Sequence, residues 1–321
     1  MKVTDHLIEG KTNLEVFCDT LVELASKDET IIAVTSDSRG SSRLVPFAEK
    51  YPEQLVEVGI AEQNLVGVAA GLSSTGKKVF ASSPACFLST RSLEQIKNDV
   101  AYSDYPVKLV GISAGVSYGS LGTTHHSLHD LAALRAINNI TIVVPADNFE
   151  TREAIKIAAG AGNPFYIRFG KKRMAHLHSE NDIFELGKAS TILEGNDIAF
   201  IACGETVLPA FEASKILYGK GVRARVLSMH TIKPLDATSV LKAATECKGI
   251  IAVEEHSING GLGEACAAVI LEAGLSVPFK RMGIPEEDTV TGSQREVFDH
   301  YGISASGLSD EAEKMIRKKK L

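Results

Sequence analysis

Short apolar runs alternate with segments of helical spacing over the first half of the chain. The apolar runs are rich in Val and Ile and are bounded by turn residues, which predicts buried strands over residues 30–35, 78–81, 107–112, 140–144 and 165–169. The segments between them predict helices over residues 13–26, 61–74, 93–101, 128–138 and 149–161. Because strands alternate with helices, we expect right-handed crossovers and a parallel sheet covered on both faces.

The same alternation returns in the second half of the chain. Strands are predicted over residues 198–202, 224–227 and 249–253, and helices over residues 207–219, 236–245 and 263–273. A polar, basic stretch at residues 170–179 has little periodicity and marks a linker. The sequence therefore predicts an α/β fold of two tandem doubly wound domains with mostly parallel sheets. We place the domains at residues 1–172 and 188–321, with the linker at 173–187.

Composition and charge place the chain among globular proteins. Of its 321 residues, 44% are hydrophobic and 23% are charged, which excludes the low hydrophobicity and high charge of a disordered chain. The net charge of -6 provides no basic surplus for a phosphate backbone, so we expect no nucleic acid as a partner. No apolar run reaches the ~18–20 residues of a membrane span, and the first ten residues lack a signal-peptide pattern, so we expect no membrane association.

The cysteines favour a reducing compartment. They are widely spaced along the sequence, at Cys18, Cys86, Cys203, Cys247 and Cys266. An odd number of cysteines without a CxxC pair indicates neither a disulfide framework nor a zinc site. We therefore expect small buried side chains with free thiols in a cytoplasmic protein.

Residues 56–71 are the most informative stretch for chemistry. An apolar strand ends at Gly59 and a helix opens at about Ala61, which places Glu62 in the first helical turn at the carboxyl end of a strand. Ligands of open α/β sheets bind at that edge. A Glu in a first turn also complements the helix dipole without any ligand, so position alone does not decide its role.

The amino-acid sequence of this stretch resembles that of a known family. The run from Gly59 to Asn64 (GIAEQN), followed by a helix with Ala69-Ala70-Gly71, is similar to the pyrimidine-binding domain of thiamine diphosphate enzymes, and to the transketolase group most closely. In that family the Glu hydrogen-bonds a nitrogen of the cofactor's aminopyrimidine and favours the imino tautomer that deprotonates the thiazolium carbon. The resemblance implies that Glu62 is both catalytic and cofactor-binding.

The resemblance also assigns roles to an aromatic residue and a histidine. Phe87, in residues 80–99, matches the aromatic ring beneath the aminopyrimidine, although a core Phe would look the same without the family. His125, in residues 119–130, matches a catalytic histidine that contacts the hydroxyls of the donor sugar. His126 and His129 have no equivalent, and no carboxylate or Cys at ligand spacing accompanies them, so we expect no metal ligands in this chain.

Three further positions match cofactor or substrate contacts of the family. Asp37 falls where the family has an Asp near the cofactor, and Ser41 where it has a Ser near the substrate phosphate. Arg168 resembles the Arg that meets that phosphate, a task suited to a planar guanidinium. A structural salt bridge of Arg168 is the alternative. Two extra cations, Arg39 and Arg43, are consistent with an anionic substrate.

The resemblance covers nearly the whole chain but only part of a full-length transketolase. Residues 228–236 and 252–265 look like the transketolase C-terminal domain, while the Gly-Asp-Gly motif of the diphosphate-binding domain is missing. The chain is thus expected to be the small subunit of a split enzyme. The resemblance implies thiamine diphosphate as cofactor, Mg²⁺ or Ca²⁺ held by a large partner subunit, and self-association that gives an α₂β₂ heterotetramer.

The implied reaction is transfer of a two-carbon ketol unit from a ketose phosphate to an aldose. Two departures leave the sugars open, because Ser113 stands where the family has a donor-binding His, and Ser120-Leu121 where it has Glu-Asp. Loss of directional hydrogen bonds changes discrimination between hydroxyl patterns, so a non-standard sugar phosphate is compatible with the sequence. Three alternatives stay open: a deoxyxylulose-phosphate-synthase-like enzyme, a 2-oxo acid dehydrogenase β subunit-like enzyme, and a non-catalytic scaffold.

Overall fold

A computed structural model describes residues 7–179 and 181–318 of the chain. The first part of the chain forms β1 (Glu9–Thr12), α1 (Asn13–Ala25), β2 (Ile31–Thr35), α2 (Val45–Lys50), β3 (Leu55–Glu57), α3 (Glu62–Ser74), β4 (Lys78–Pro84), α4 (Ala85–Arg91), α5 (Leu93–Gln95), β5 (Lys108–Ile112), α6 (Asp130–Arg135), β6 (Thr141–Val143), α7 (Asn148–Gly160), β7 (Phe165–Arg168) and β8 (Arg173–Ala175). Ile96–Tyr102 continues α5 as a π-helix.

The second part forms β9 (Ser190–Leu193), β10 (Ile198–Ala202), α8 (Val207–Gly219), β11 (Ala224–Ser228), β12 (Thr231–Lys233), α9 (Ala237–Glu246), β13 (Ile250–Ser257), α10 (Leu262–Glu272), β14 (Phe279–Ile284), α11 (Gln294–His300) and α12 (Ala305–Lys318). Every strand and helix predicted from the alternating pattern is present, with shifts of a few residues at some ends. The predicted α/β class with two tandem, mostly parallel sheets is confirmed.

A seven-stranded sheet forms the first domain, in the order β12-β6-β7-β5-β4-β2-β3. All neighbouring strands are parallel except β12, which runs antiparallel to β6. Helices cover both faces, and side chains of β4 alternate between them. Phe80 packs in the cluster that contains Phe17 of α1, whereas Val79 packs in the cluster that contains Leu65 of α3. Burial of both faces explains why these strands are continuous apolar runs in the sequence.

A five-stranded sheet forms the second domain, in the order β14-β13-β10-β11-β9, with only β9 antiparallel. Helices α8 and α12 pack on one face through residues such as Phe211 and Leu308. Helices α9 and α10 pack on the other face through Val240 and Leu262. The second domain is therefore doubly wound like the first.

The two domains share structure at their junction. Strand β12 comes from the second domain but adds to the edge of the first sheet, beside β6. The ammonium group of Lys233, at the end of β12, donates to the carbonyl of Arg135 at 3.0 Å and to that of Ile137. Strand β8 lies inside the expected linker and pairs antiparallel with β1. Strand β12 thus links the second domain to the first sheet, and β8 links the start of the linker to the first domain.

Two properties of the chain bear on its surroundings. All five cysteines are buried and have free thiols, as predicted. Within the described ranges no helix is at once long and apolar enough to cross a bilayer.

Candidate active site

The carboxyl ends of four neighbouring strands lie at one edge of the first sheet. Thr35 of β2 is in register with Glu57 of β3, and Pro84 of β4 with Ile112 of β5. The segments that hold Asp37, Glu62, Phe87 and Ser113 all follow these strand ends. This is the edge at which ligands of open α/β sheets bind.

Glu62 is the first residue of α3 and is almost fully buried. The chain enters the helix through Gly59, whose φ of 75° favours glycine, and through Ala61, which offers no side-chain cap. A negative side chain in the first turn complements the positive end of the helix dipole. The residue is only 5% exposed, and a buried carboxylate needs a hydrogen-bonding partner.

That partner is Arg91, the last residue of α4. Its Nη1 lies 3.2 Å from Oε1 and 3.1 Å from Oε2 of Glu62. The guanidinium carbon of Arg91 also lies 4.2 Å from the centroid of the Phe87 ring. Phe87 and Arg91 are four residues apart on a short helix and thus share one face. A flat cationic group is held between an aromatic face and a buried carboxylate.

This arrangement tests whether the site suits an aminopyrimidine. A guanidinium and an aminopyrimidine are both planar and both present N–H donors at their edge. The site provides a ring to stack on, Phe87, and a carboxylate to accept hydrogen bonds, Glu62. The chemistry of these two residues therefore fits the pyrimidine half of thiamine diphosphate.

His125 lies beside Phe87. The two ring centroids are 5.4 Å apart in an edge-to-face arrangement, and the Tyr118 ring lies 5.3 Å from His125 in the same way. Thr124 Oγ1 is 3.0 Å from Nδ1 of His125, which orients the imidazole. The ammonium of Lys171 lies 4.6 Å from the Tyr118 ring centroid. A half-buried histidine and an exposed cation thus adjoin the stacked group.

Asp37 and Ser41 lie on the segment that follows β2. The backbone N–H of Asp37, at a φ of 52°, donates to Oε1 of Glu57 at 2.5 Å, and the same oxygen accepts from the N–H of Gly59. This ties the segment after β2 to the entry of α3. Both Asp37 and Ser41 are exposed, while Ser42 next to it is buried and bonds Ser82 at 2.7 Å. Their contacts with cofactor and substrate stay predictions.

Arg168, the predicted phosphate contact at the end of β7, is buried in a polar cluster. It is 4% exposed, and its Nε donates to Oδ2 of Asp130 at 2.8 Å. Its Nη2 donates to the carbonyls of Ser127 and Glu255, at 3.1 and 2.7 Å. The hydroxyl of Tyr166 donates to the same Asp130 oxygen. These are the contacts of the structural salt bridge that was the alternative for Arg168, and its contact with a substrate phosphate stays a prediction.

The charge of Asp130 is maintained by this contact. Burial alone would raise the pKa of the Asp130 carboxyl, but the neighbouring Arg168 guanidinium outweighs that effect and lowers the pKa below its ordinary value. The ion pair joins β7 to α6 within the first domain, and the hydrogen bond from Arg168 to the Glu255 carbonyl joins them to β13 of the second. Arg168 and Asp130 therefore lie at the junction of the two domains.

The two departures from the family pattern lie in different environments. Ser113 is buried directly after β5, and its φ of 53° lies in the left-handed region that few residues other than glycine adopt. Leu121 is 53% exposed, at the end of a helical turn four residues before His125. Leu121 therefore differs from Ser113 in being open to solvent.

Three residues of the site were not predicted from the sequence: Arg91, Tyr118 and Lys171. Spacing could have identified Arg91, because a residue four positions after Phe87 on a helix lies on the same face. Tyr118 and Lys171 meet only through the fold, since they follow different strands, β5 and β7. A sequence signal for that pair did not exist.

Metal ligation finds no support in residues 7–179 and 181–318. In these ranges His, Cys, Asp and Glu side chains form no group of three or more that could hold a metal ion. His126, next to His125, is buried and its Nε2 lies 3.0 Å from the carbonyl oxygen of Gly119. Burial lowers the pKa of His126. It is a structural residue of the loop.

Two family models match the chain. One is the transketolase pyrimidine binding domain, over residues 10–175, and the other is the transketolase C-terminal domain, over residues 187–308. A solved structure of a split-gene transketolase, described as an inactive β4 tetramer, superposes with a TM-score of 0.88 at 34% identity. That match covers 96% of this chain and 99% of the other.

Proteins of similar sequence include subunits and longer chains. An apulose-4-phosphate transketolase subunit of Phocaeicola vulgatus is 49% identical, over 94% of this chain and 96% of its own length. The 6-deoxy-6-sulfo-D-fructose transketolase subunit SqwH of Clostridium sp. is 35% identical, over 99% and 97%. A 1-deoxy-D-xylulose-5-phosphate synthase of Geobacter sulfurreducens is 34% identical, over 95% of this chain but 48% of its own length.

Proposed function

The chain belongs to the transketolase family, and on this premise we propose that it is the small subunit of a split, thiamine diphosphate-dependent transketolase. The enzyme transfers a two-carbon ketol unit from a ketose phosphate to an aldose. The observation that carries this function is the pairing of a buried Glu62 with the ring of Phe87 around a flat N–H-donating group. This chain is also nearly equal in length to a transketolase subunit that it resembles, which supports a split enzyme.

Glu62 and Phe87 bind and orient the pyrimidine half of the cofactor. The Phe87 face supports the ring, and the Glu62 carboxylate accepts a hydrogen bond from a ring N–H and holds the proton at that edge. Burial of Glu62 excludes water, which strengthens this hydrogen bond. When bound, thiamine diphosphate supplies the carbanion chemistry that cleaves and forms the C–C bond.

His125 and Lys171 are placed to contact the sugar. His125 is edge-on to Phe87, so a substrate attached near the ring would meet its imidazole. Its Nδ1 is engaged with Thr124, which leaves the opposite edge of the imidazole to hydrogen-bond a donor hydroxyl. Lys171 is exposed over Tyr118 and can pair with a substrate anion, while Arg168 stays a proposed phosphate contact. Ser41 stays a proposed phosphate contact, and Asp37 a proposed cofactor contact.

A large partner subunit is proposed to bind the diphosphate and its metal, Mg²⁺ or Ca²⁺. The sequence of this chain lacks the Gly-Asp-Gly motif, and the described residues offer no cluster of metal ligands. We expect two copies of each subunit in an α₂β₂ assembly. The solved split-gene transketolase is named as an inactive tetramer of β chains, which is consistent with a small subunit that needs a partner.

The substrate is proposed to be a non-standard sugar phosphate. Apulose 4-phosphate is the first candidate, because it is named for relatives that are 49% and 36% identical and nearly equal in length. The exposed Leu121, which replaces a family Asp, removes a polar contact that would select ordinary ketose phosphates. A deoxyxylulose-phosphate-synthase-like reaction is less well supported, since the chain spans about half the length of those synthases.

A cytoplasmic location is proposed as well. The five cysteines are buried with free thiols, a state that a reducing compartment preserves.

Reconstitution tests the proposed function. The chain is purified alone and together with a second polypeptide that carries Gly-Asp-Gly, and both samples are assayed with thiamine diphosphate, Mg²⁺ and apulose 4-phosphate plus an aldose acceptor. We expect two-carbon transfer only from the pair. Turnover by the isolated chain would contradict the split-subunit assignment, and a pair inactive with every ketose phosphate would contradict transketolase activity.

A further inference from the structure

Arg91 occupies the space that the proposed function reserves for the cofactor. Its Nη1 donates to both carboxylate oxygens of Glu62, and its guanidinium carbon lies 4.2 Å from the Phe87 ring centroid. Both contacts are ones that an aminopyrimidine would make. A ring stacked on Phe87 and hydrogen-bonded to Glu62 cannot share this space with the guanidinium.

The burial of Glu62 explains why Arg91 takes this position in the cofactor-free subunit. Glu62 is 5% exposed, and an ionised carboxylate in such a position is destabilised unless a donor faces it. Arg91 supplies the donor and the countercharge. In a cofactor-free chain the ion pair therefore protects Glu62, and cofactor entry exchanges one donor for another.

The exchange needs little more than a side-chain rotation. The Arg91 side chain is 51% exposed, and its long aliphatic stem leaves the last residue of α4, where the chain turns at Ser92. Ion pairs with a partner open to solvent are weak, so the guanidinium can leave for water. The buried Glu62 stays in place throughout, because it is fixed by the start of α3.

We propose that Arg91 is a competing occupant of the cofactor site that determines the affinity for thiamine diphosphate. The inference rests on the proposed function. Each molecule in which the ion pair is formed is unable to bind, so the apparent dissociation constant is the intrinsic one divided by the open fraction. Removal of the guanidinium should leave the site open in every molecule.

The test is calorimetric titration of thiamine diphosphate into the assembled enzyme with Mg²⁺, for wild type, Arg91→Ala and Arg317→Ala. Arg317 is the matched control, a surface arginine paired with Glu313 one helical turn away. We expect Arg91→Ala to bind the cofactor about three- to tenfold more tightly. We expect Arg317→Ala to bind like wild type. Unchanged or weaker binding by Arg91→Ala would overturn the inference.

Melting temperatures separate competition from a purely structural role. If Arg91 competes with the cofactor, Arg91→Ala should lower the melting temperature of the cofactor-free assembly and leave that of the cofactor-saturated assembly unchanged. The rise in melting temperature on adding cofactor should therefore be larger in Arg91→Ala than in wild type. A structural arginine would lower both temperatures equally, which would overturn the inference. If the two temperatures fall equally but wild type binds the cofactor and turns over, the proposed function stands and only the role of Arg91 is refuted. An assembly that binds no cofactor in any variant refutes both the role of Arg91 and the proposed function. Arg91→Lys keeps the charge but not the planar group that stacks on Phe87. Its cofactor-induced shift in melting temperature is expected to lie between those of wild type and Arg91→Ala.

Discussion

The guanidinium of Arg168 lies 2.8 Å from the carboxylate of Asp130, and both side chains are enclosed between the two domains. The same guanidinium donates to the carbonyl of Glu255 on β13. An arginine that the family resemblance assigns to substrate is thus part of the domain junction. Replacement of Arg168 should therefore first of all lower the free energy of unfolding.

We expect Arg168→Met to destabilise the chain by about 3–5 kcal/mol, because it leaves Asp130 buried without a countercharge. Urea denaturation of the isolated chain measures the change, with Arg317→Met as an exposed control that should differ from wild type by less than about 1 kcal/mol. A variant of wild-type stability that only weakens substrate binding in the assembled enzyme would contradict the structural role of Arg168 and support the phosphate contact.

Phe87 provides the face on which the pyrimidine ring is proposed to stack. We expect Phe87→Leu, which keeps apolar bulk but removes the aromatic face, to weaken thiamine diphosphate binding by about three- to tenfold, since such ring contacts contribute about 0.5–1.5 kcal/mol. Phe87→Tyr keeps the face and should bind like wild type. Titration calorimetry on the assembled enzyme measures both constants, and equal affinity in all three proteins would show that Phe87 is an ordinary packing residue.

Leu121 tests the proposed substrate class. We expect Leu121→Asp to raise kcat/KM for ordinary ketose phosphates relative to apulose 4-phosphate by about tenfold or more, because it restores a directional hydrogen-bonding group near His125. Leu121→Ala removes the apolar side chain without adding that group and serves as the control. The side chain is exposed, so neither variant should alter folding. An unchanged ratio of the two kcat/KM values would remove Leu121 from substrate selection.

Glu255 gives the domain junction a pH dependence. Burial, together with the neighbouring Glu205, raises the pKa of Glu255 to about 7, against the opposing effects of Arg168, Gln294 and Lys172. The unfolded carboxyl titrates near 4.5, so between about pH 4.5 and 7 the folded state holds a proton that the unfolded state has lost. The contribution of Glu255 to stability therefore decreases as pH rises through this window and is constant above it.

The measurement that checks this prediction is the melting temperature of wild type and of two variants between pH 5 and 8. Glu255→Gln does not titrate, so its melting temperature should rise relative to wild type by several degrees across this window. Glu246 is the control, because the hydrogen bond from Arg225 lowers the pKa of this exposed carboxyl, which stays ionised throughout the window. Glu246→Gln should keep a constant offset from wild type. A constant offset for Glu255→Gln as well would contradict the raised pKa.

Much of the fold follows from the sequence because the central strands are buried on both faces. Strand β2 (Ile31–Thr35) and strand β10 (Ile198–Ala202) are entirely buried and are plain apolar runs. Strand β14 (Phe279–Ile284) was not predicted, since it lies at a sheet edge and carries Lys280 and Arg281. Strand β12 was not predicted either, because its place in the sheet of the other domain depends on tertiary contacts that no local pattern encodes.

The candidate site was predictable only where a motif or a local spacing marks it. The motif identified Glu62, and the structure places it at the expected sheet edge and in reach of Phe87 through Arg91. The role of Arg168 could not be decided, because its partner Asp130 is 38 residues away in the sequence. The Arg91 contact decides how the site is filled in the free subunit, and it required both the helix α4 and its position against α3.

The most direct test of the account is the turnover of the assembled enzyme with Glu62→Gln. Glutamine keeps the size of the side chain but cannot carry the charge that holds a proton at the pyrimidine edge. We predict that kcat falls by at least about 100-fold while the subunits still assemble. Turnover within a few-fold of wild type, in a variant shown to be folded and assembled, would contradict the assignment of this carboxylate and with it the proposed function.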